Sequence, residues 1–159
     1  LGSGAYDLTQ IIPPGNPVVR GEELWFYYTG LKYRHIPNGA DPDQAAICLA
    51  VLRRDGFISL DAGEEAGSII TKSLRIPEGA QRLFVNVDAP NGDLRAVILN
   101  TSGQPLEGFA IDKCVPVTGN QPHAEVTWEG NPDLSAPAGQ DIQLRFRLRN
   151  ASFYSFWFE

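Results

Sequence analysis

From Leu24 to Phe158, short apolar segments alternate with turns marked by Gly and Pro. Within several segments, apolar and polar positions also alternate one by one. In Arg82–Asp88, the residues Leu83, Val85 and Val87 fall on one face. In Asp141–Arg149, Ile142, Leu144, Phe146 and Leu148 oppose Gln143, Arg145, Arg147 and Arg149, the pattern of an antiparallel strand with one wet face. The pattern predicts strands at Leu24–Thr29, Ala46–Arg53, Gly56–Leu60, Ser68–Ile76, Arg82–Asp88, Asp93–Asn100, His123–Trp128, Asp141–Arg149 and Ser152–Phe158. Asp55-Gly56 and Asn91-Gly92 read as tight-turn pairs. No segment has the apolar spacing of an amphipathic helix of about ten residues or more. Strands spaced by roughly 8–12 residues predict an all-β, antiparallel, jelly-roll-like β-sandwich.

A domain boundary is expected near Leu60–Ser68, dividing the chain into residues 1–60 and 61–159. Ahead of it, a long loop from Gly30 to Gln44 carries Lys32, Tyr33, Arg34, His35, Asp41 and Asp43. Loops of this length are usually functional or mobile. The apolar ending Phe153-Tyr154-Ser155-Phe156-Trp157-Phe158 demands that the last strand be paired and covered.

Composition adds exclusions. The 159 residues suffice for a core without disulfides or metals, and 43% hydrophobic with 20% charged residues argues against disorder. A net charge of −6 repels phosphate backbones and excludes nucleic acid as an expected partner. Arg145, Arg147 and Arg149, the densest basic stretch, read as a solvated strand face. No apolar run approaches the ~20 residues of a membrane helix, so no membrane span is expected. Leu1 opens directly into a Gly/Ser-rich segment without a signal peptide, which predicts that the numbering begins inside a longer gene product. Cys48 and Cys114 are the two cysteines; a free thiol in an apolar strand and a disulfide between them are both open. Their spacing from His35 and His123 fits no zinc site.

The stretch Gly21-Glu22-Glu23-Leu24-Trp25-Phe26-Tyr27-Tyr28-Thr29-Gly30 resembles a blade strand of the five-bladed propeller glycosidases, the broad group of glycoside hydrolase families 32, 43 and 68. Ser3-Gly4-Ala5-Tyr6-Asp7 resembles the loop that opens such a blade. Ala46-Ile47-Cys48-Leu49-Ala50-Val51-Leu52-Arg53-Arg54-Asp55-Gly56-Phe57 resembles the segment leaving the propeller. The resemblance implies the last strands of a blade up to about residue 60. After them it implies the C-terminal β-sandwich of a family-32-like hydrolase. It further implies a carbohydrate-active parent protein, secreted or periplasmic, with the rest of the propeller as partner. In those families the catalytic carboxylates lie on earlier blades, so the resemblance assigns no catalytic residue and no cofactor here. Hydrolysis needs two carboxylates about 5–10 Å apart, and the sequence offers no assignable pair.

Candidate binding residues are few. Asp7, at the blade opening, can bond a sugar hydroxyl or cap its own loop. Tyr27 and Tyr28 point to opposite faces of one strand; Tyr28 is the candidate for a sugar cleft, against packing for both. Lys32, Arg34 and His35 can hold hydroxyls or an anionic sugar, or can simply be solvated. Asp61, Glu64 and Glu65 are oxygen ligands suited to calcium, but their spacing is not that of an EF-hand, and an acidic turn in water is the alternative. Trp128, Tyr154 and Trp157 can form an aromatic platform on the sandwich or belong to its core; alternation puts Trp128 on the apolar face with Val126. No nucleophile elbow, phosphate loop or dinucleotide fingerprint is present. The expected function is therefore a non-catalytic accessory sandwich of a glycoside hydrolase. A carbohydrate-binding module and a cell-surface interaction domain are the alternatives.

Overall fold

A computed structural model describes residues 5–13, 15–33, 43–130 and 133–159. The chain is all-β with antiparallel sheets and divides into two compact units, Leu1–Arg54 and Asp55–Glu159. Among the described residues, no helix is long and apolar enough to cross a membrane.

The first unit holds β1 (Gln10–Ile12), β2 (Val18–Arg20), β3 (Glu23–Leu31) and β4 (Ala45–Arg53). Strand β4 pairs with β3 along its whole length, from Glu23↔Arg53 to Leu31↔Ala45. The short strands β1 and β2 therefore share the other edge of β3, at its two ends. The sheet is thus three strands wide. The alternation did not predict β1 and β2, whose three residues each are too short to show a period. Pro13 and Pro17 flank the interruption between them, since a prolyl nitrogen cannot donate to a ladder.

The second unit contains β5 (Leu60–Ala62), β6 (Gly67–Ile70), β7 (Leu74–Arg75), β8 (Leu83–Asn100), β9 (Val117–Val126), β10 (Asp141–Arg149) and β11 (Ala151–Phe158) in one sheet. Because β5 pairs with β11, the units divide ahead of the boundary expected at Leu60–Ser68. The predicted strand Gly56–Leu60 is largely a turn and coil, with Phe57 and Ile58 exposed; its last residue, Leu60, opens β5 opposite Phe153. The predicted Ser68–Ile76 is broken into β6 and β7, both along β10. His123–Trp128 is the end of the longer β9; Trp128 itself makes an isolated bridge to Cys114.

Asn91-Gly92 is not a hairpin. It lies inside the 18-residue β8, which pairs through its first half with β11 and through its second with β10. The inward positions change parity at this point. Leu83, Val85, Val87 and Ala89 face the core before it; Leu94, Ala96 and Ile98 face the core after it. The partner strands change parity as well, from Leu148 to Ala151 across Asn150. Asn150 takes the left-handed conformation, φ 44°, and its backbone N–H donates to the Gly63 carbonyl at 2.7 Å. Strand β8 thus bends opposite the break between β10 and β11, and one sheet folds over its own interior as a sandwich-type fold. Loops complete that interior with Phe109, Cys114 and Leu134. All of the buried hydrophobic residues described, from Ile76 to Phe153, lie in this second unit.

Cys48 is half-buried, Cys114 is buried, and both are free thiols.

Candidate functional site

Two polar–aromatic clusters gather the candidate residues, one in each unit. In the first unit, Tyr28 and Cys48 face each other across β3 and β4. The Tyr28 hydroxyl donates to Asp7 Oδ2 at 2.9 Å. The approach of the Tyr6-Asp7 segment depends on Gly30. A Cβ there would lie 3.0 Å from both the Asp7 nitrogen and the Tyr6 carbonyl carbon, and 3.1 Å from Cys48 Sγ. Next to this contact, Lys32 Nζ pairs with Asp43 Oδ2 at 2.8 Å and lies 4.6 Å from the centroid of the Tyr6 ring. The Tyr6 hydroxyl donates to the Asp43 carboxylate.

The structure therefore brings together Asp7, Tyr28 and Lys32, three of the sequence candidates, and adds Tyr6 and Asp43. Arg34 and His35 lie outside the described residues. The hydrogen bond to Asp7 pushes the Tyr28 phenol up to about 12, with burial and the Asp7 charge adding to it. Lys32 first, then the Tyr6 hydroxyl, hold the Asp43 carboxyl below its ordinary range. A phenol so raised remains a hydrogen-bond donor at neutral pH, and both carboxylates are engaged by neighbours. This arrangement ties the Tyr6-Asp7 segment to the sheet.

In the second unit the aromatic candidates separate. Trp128 is 2% exposed, donates its indole N–H to the Ala96 carbonyl at 3.1 Å and meets Phe109 edge-on at 5.1 Å. It is a core residue and no sugar platform, as its alternation with Val126 foreshadows. Tyr154 is half-buried. Trp157 stacks on Phe84, with centroids 5.8 Å apart, and His123 packs edge-on against both rings. The Trp157 indole donates to Glu159 Oε1 at 2.9 Å, and His123 Nε2 stands 3.9 Å from the same oxygen. Phe84 was missed as a member of this cluster. Its signal was a break in pattern: a large aromatic on the face of β8 opposite Leu83, Val85 and Val87.

No protein-family model, curated protein or solved structure matches this chain.

The weak calcium candidates do not converge. Asp61 accepts hydrogen bonds from Ser152 and then Ser59, which hold its carboxyl below the usual range and fasten β5 to β11. Glu64 and Glu65 are exposed. No group of three His, Cys, Asp or Glu side chains suited to a metal occurs among the described residues.

Proposed function

We propose that this chain is a non-catalytic accessory β-sandwich module of a family-32-like glycoside hydrolase, with its first sheet completing a larger propeller. The observation that carries this reading is the absence of any buried hydrophobic side chain among the described residues of the first unit. Tyr27, Ile47, Leu49 and Val51 share one face of its sheet by register, and all are 41–74% exposed. A narrow sheet with an uncovered apolar face is marginal in water. Propeller blades stack face to face and would supply the cover. The engagement of Asp7 by Tyr28 and of Asp43 by Lys32 supports a scaffolding role for these carboxylates. The reading carries with it an exported, secreted or periplasmic parent protein.

The test is hydrolysis of fructan, arabinan and xylan by the purified chain. No turnover is expected. Turnover abolished by Asp7→Ala would overturn the proposal.

A second reading, carbohydrate binding, is favoured by the Trp157–His123–Glu159 arrangement, where an aromatic ring adjoins a carboxylate on the face away from the core. Affinity electrophoresis in neutral polysaccharide gels tests it. Retardation lost in Trp157→Ala supports binding, and unretarded migration in all gels rejects it.

A further inference from the structure

The bend in β8 leaves a groove of about 590 Å³ on the outer side of the second unit, lined among others by Asn91, Asp93, Arg95, Thr118, Arg147 and Arg149. Its charge runs against the rest of the molecule. The whole chain has 13 Lys and Arg against 19 Asp and Glu, yet this groove holds three guanidinium groups and one carboxylate. Arg147 lies directly opposite Arg95 in the β10–β8 register, and Arg149 lies opposite Asp93. Like charges directly opposite each other destabilise a sheet. Alternation alone would have been satisfied by any polar residue at these positions.

The guanidinium groups are also differently held. Arg95 Nη1 donates to the Cys114 carbonyl at 2.7 Å, and its Nε lies 3.3 Å from Asp93 Oδ2. Asp93 Oδ1 reaches Arg149 Nη2 at 3.5 Å, so one carboxylate orients two arginines without balancing the three. Arg147 forms no ion pair among the described residues. The wall nearest the bend is fixed by the close approach of Gly92 to the Arg149 carbonyl.

We propose that this groove binds the oxyanion group, a carboxylate or a sulfate ester, of a small acidic saccharide. Arginine presents its N–H donors in a planar fork that matches both anions with paired hydrogen bonds. The volume lies within the ~300–1,000 Å³ of small-molecule sites, more than a bare inorganic anion fills. Arg147 supplies the unneutralised charge, Arg95 and Arg149 flank it, and Thr118 offers a hydroxyl to the sugar. The anion site stands apart from the accessory role above: it needs neither hydrolysis nor a propeller, and the saccharide alone rests on the carbohydrate reading.

The experiment is isothermal titration of the full chain with a heparin-derived tetrasaccharide, with tetragalacturonate and with neutral cellotetraose. The proposal expects binding of at least one acidic probe and none of the neutral one. A sulfated probe alone assigns a sulfate ester, and the uronate alone assigns a carboxylate. Arg147→Gln should weaken binding at least about tenfold, the loss expected for a charged hydrogen-bonding group. Arg75→Gln, beside Asp141 at the far end of β10, should change it less than about twofold. Arg147 holds no ion pair among the described residues, so its replacement should leave the fold intact, which an unchanged thermal transition verifies. Failure of both acidic probes to bind at millimolar concentration overturns the proposal. Equal losses in Arg147→Gln and Arg75→Gln overturn it too, because they mark diffuse attraction. Neither result bears on hydrolysis by the chain, so this proposal and the accessory reading fail separately.

Discussion

A Cβ built on Gly92 would stand 1.8 Å from the carbonyl oxygen of Arg149 and 2.7 Å from that of Asn150. Strand β8 and the break between β10 and β11 touch backbone to backbone here, and no side-chain rotation can relieve the overlap. Gly92→Ala is therefore expected to destabilise the chain by about 3 kcal/mol or more, or to prevent folding. Gly63→Ala, where a Cβ meets nothing within 4 Å and φ is ordinary, should stay within about 0.5 kcal/mol of the parent. Urea unfolding of the two variants checks the contrast.

Trp128→Phe should cost about 2 kcal/mol or more. It removes the donor to the Ala96 carbonyl and leaves space beside Phe109 in a closed core. Trp157→Phe should cost less, because that ring is half-buried on the outer face. Urea midpoints followed by circular dichroism measure both, and equal midpoints would refute the division between core and surface tryptophans.

Burial pushes the Cys114 thiol up, against the weaker opposite pull of the Ala96 backbone N–H and Arg95. Since the thiolate is the nucleophile, Cys114 should resist iodoacetamide in the folded protein and react on unfolding. Mass spectrometry of the peptide containing residue 114 reads this directly; rapid native alkylation contradicts the burial.

Legibility in the sequence followed the period. In β10 the alternation of Ile142, Leu144, Phe146 and Leu148 was unbroken, and the strand's limits agree with the sequence reading. At β8 the same reasoning located both halves and misjudged their junction. Asn-Gly is the residue pair of a two-residue hairpin, and nothing local distinguishes it from a bulge where a distant backbone passes. That distinction resides in Arg149, far along the chain. The first cluster was legible in part for the same reason: Asp7, Tyr28 and Lys32 were chosen by type, while Asp43 was one of several polar residues in a long loop. The pairing of Arg147 with Arg95 required a register that alternation cannot supply, since period two gives a face without naming a partner.

Tyr28 gives the first unit a defined alkaline sensitivity. Its phenol lies at about 12 in the fold against an ordinary 10.0. A group raised on folding favours the folded state fully below its unfolded value and loses that contribution as pH rises through its folded value. The contribution from the Asp7 contact is thus complete below pH 10 and is lost between pH 10 and about 12. Phenolate absorbance of the parent should contain a late step that Tyr28→Phe removes. A titration in which no tyrosine lags in the parent would contradict the Tyr28–Asp7 hydrogen bond.

The distribution of buried side chains predicts that the two units differ in autonomy. Residues 55–159 contain all of the described buried hydrophobics, including the rings of Phe109, Trp128, Phe146 and Phe153. Residues 1–54 offer β-branched and aromatic side chains in a sheet only three strands wide, with Ile47 74% exposed and Tyr27 47% exposed. Hydrophobic burial is the main force opposing chain entropy, so a unit whose described apolar side chains are at most partly buried has little with which to fold by itself. A fragment of residues 55–159 should keep its β-sheet circular dichroism and a cooperative thermal transition. A fragment of residues 1–54 should give an unfolded spectrum and no transition. Cooperative melting of the short fragment alone would show that its half-buried face suffices. It would also remove the physical ground for assigning that unit to a larger propeller.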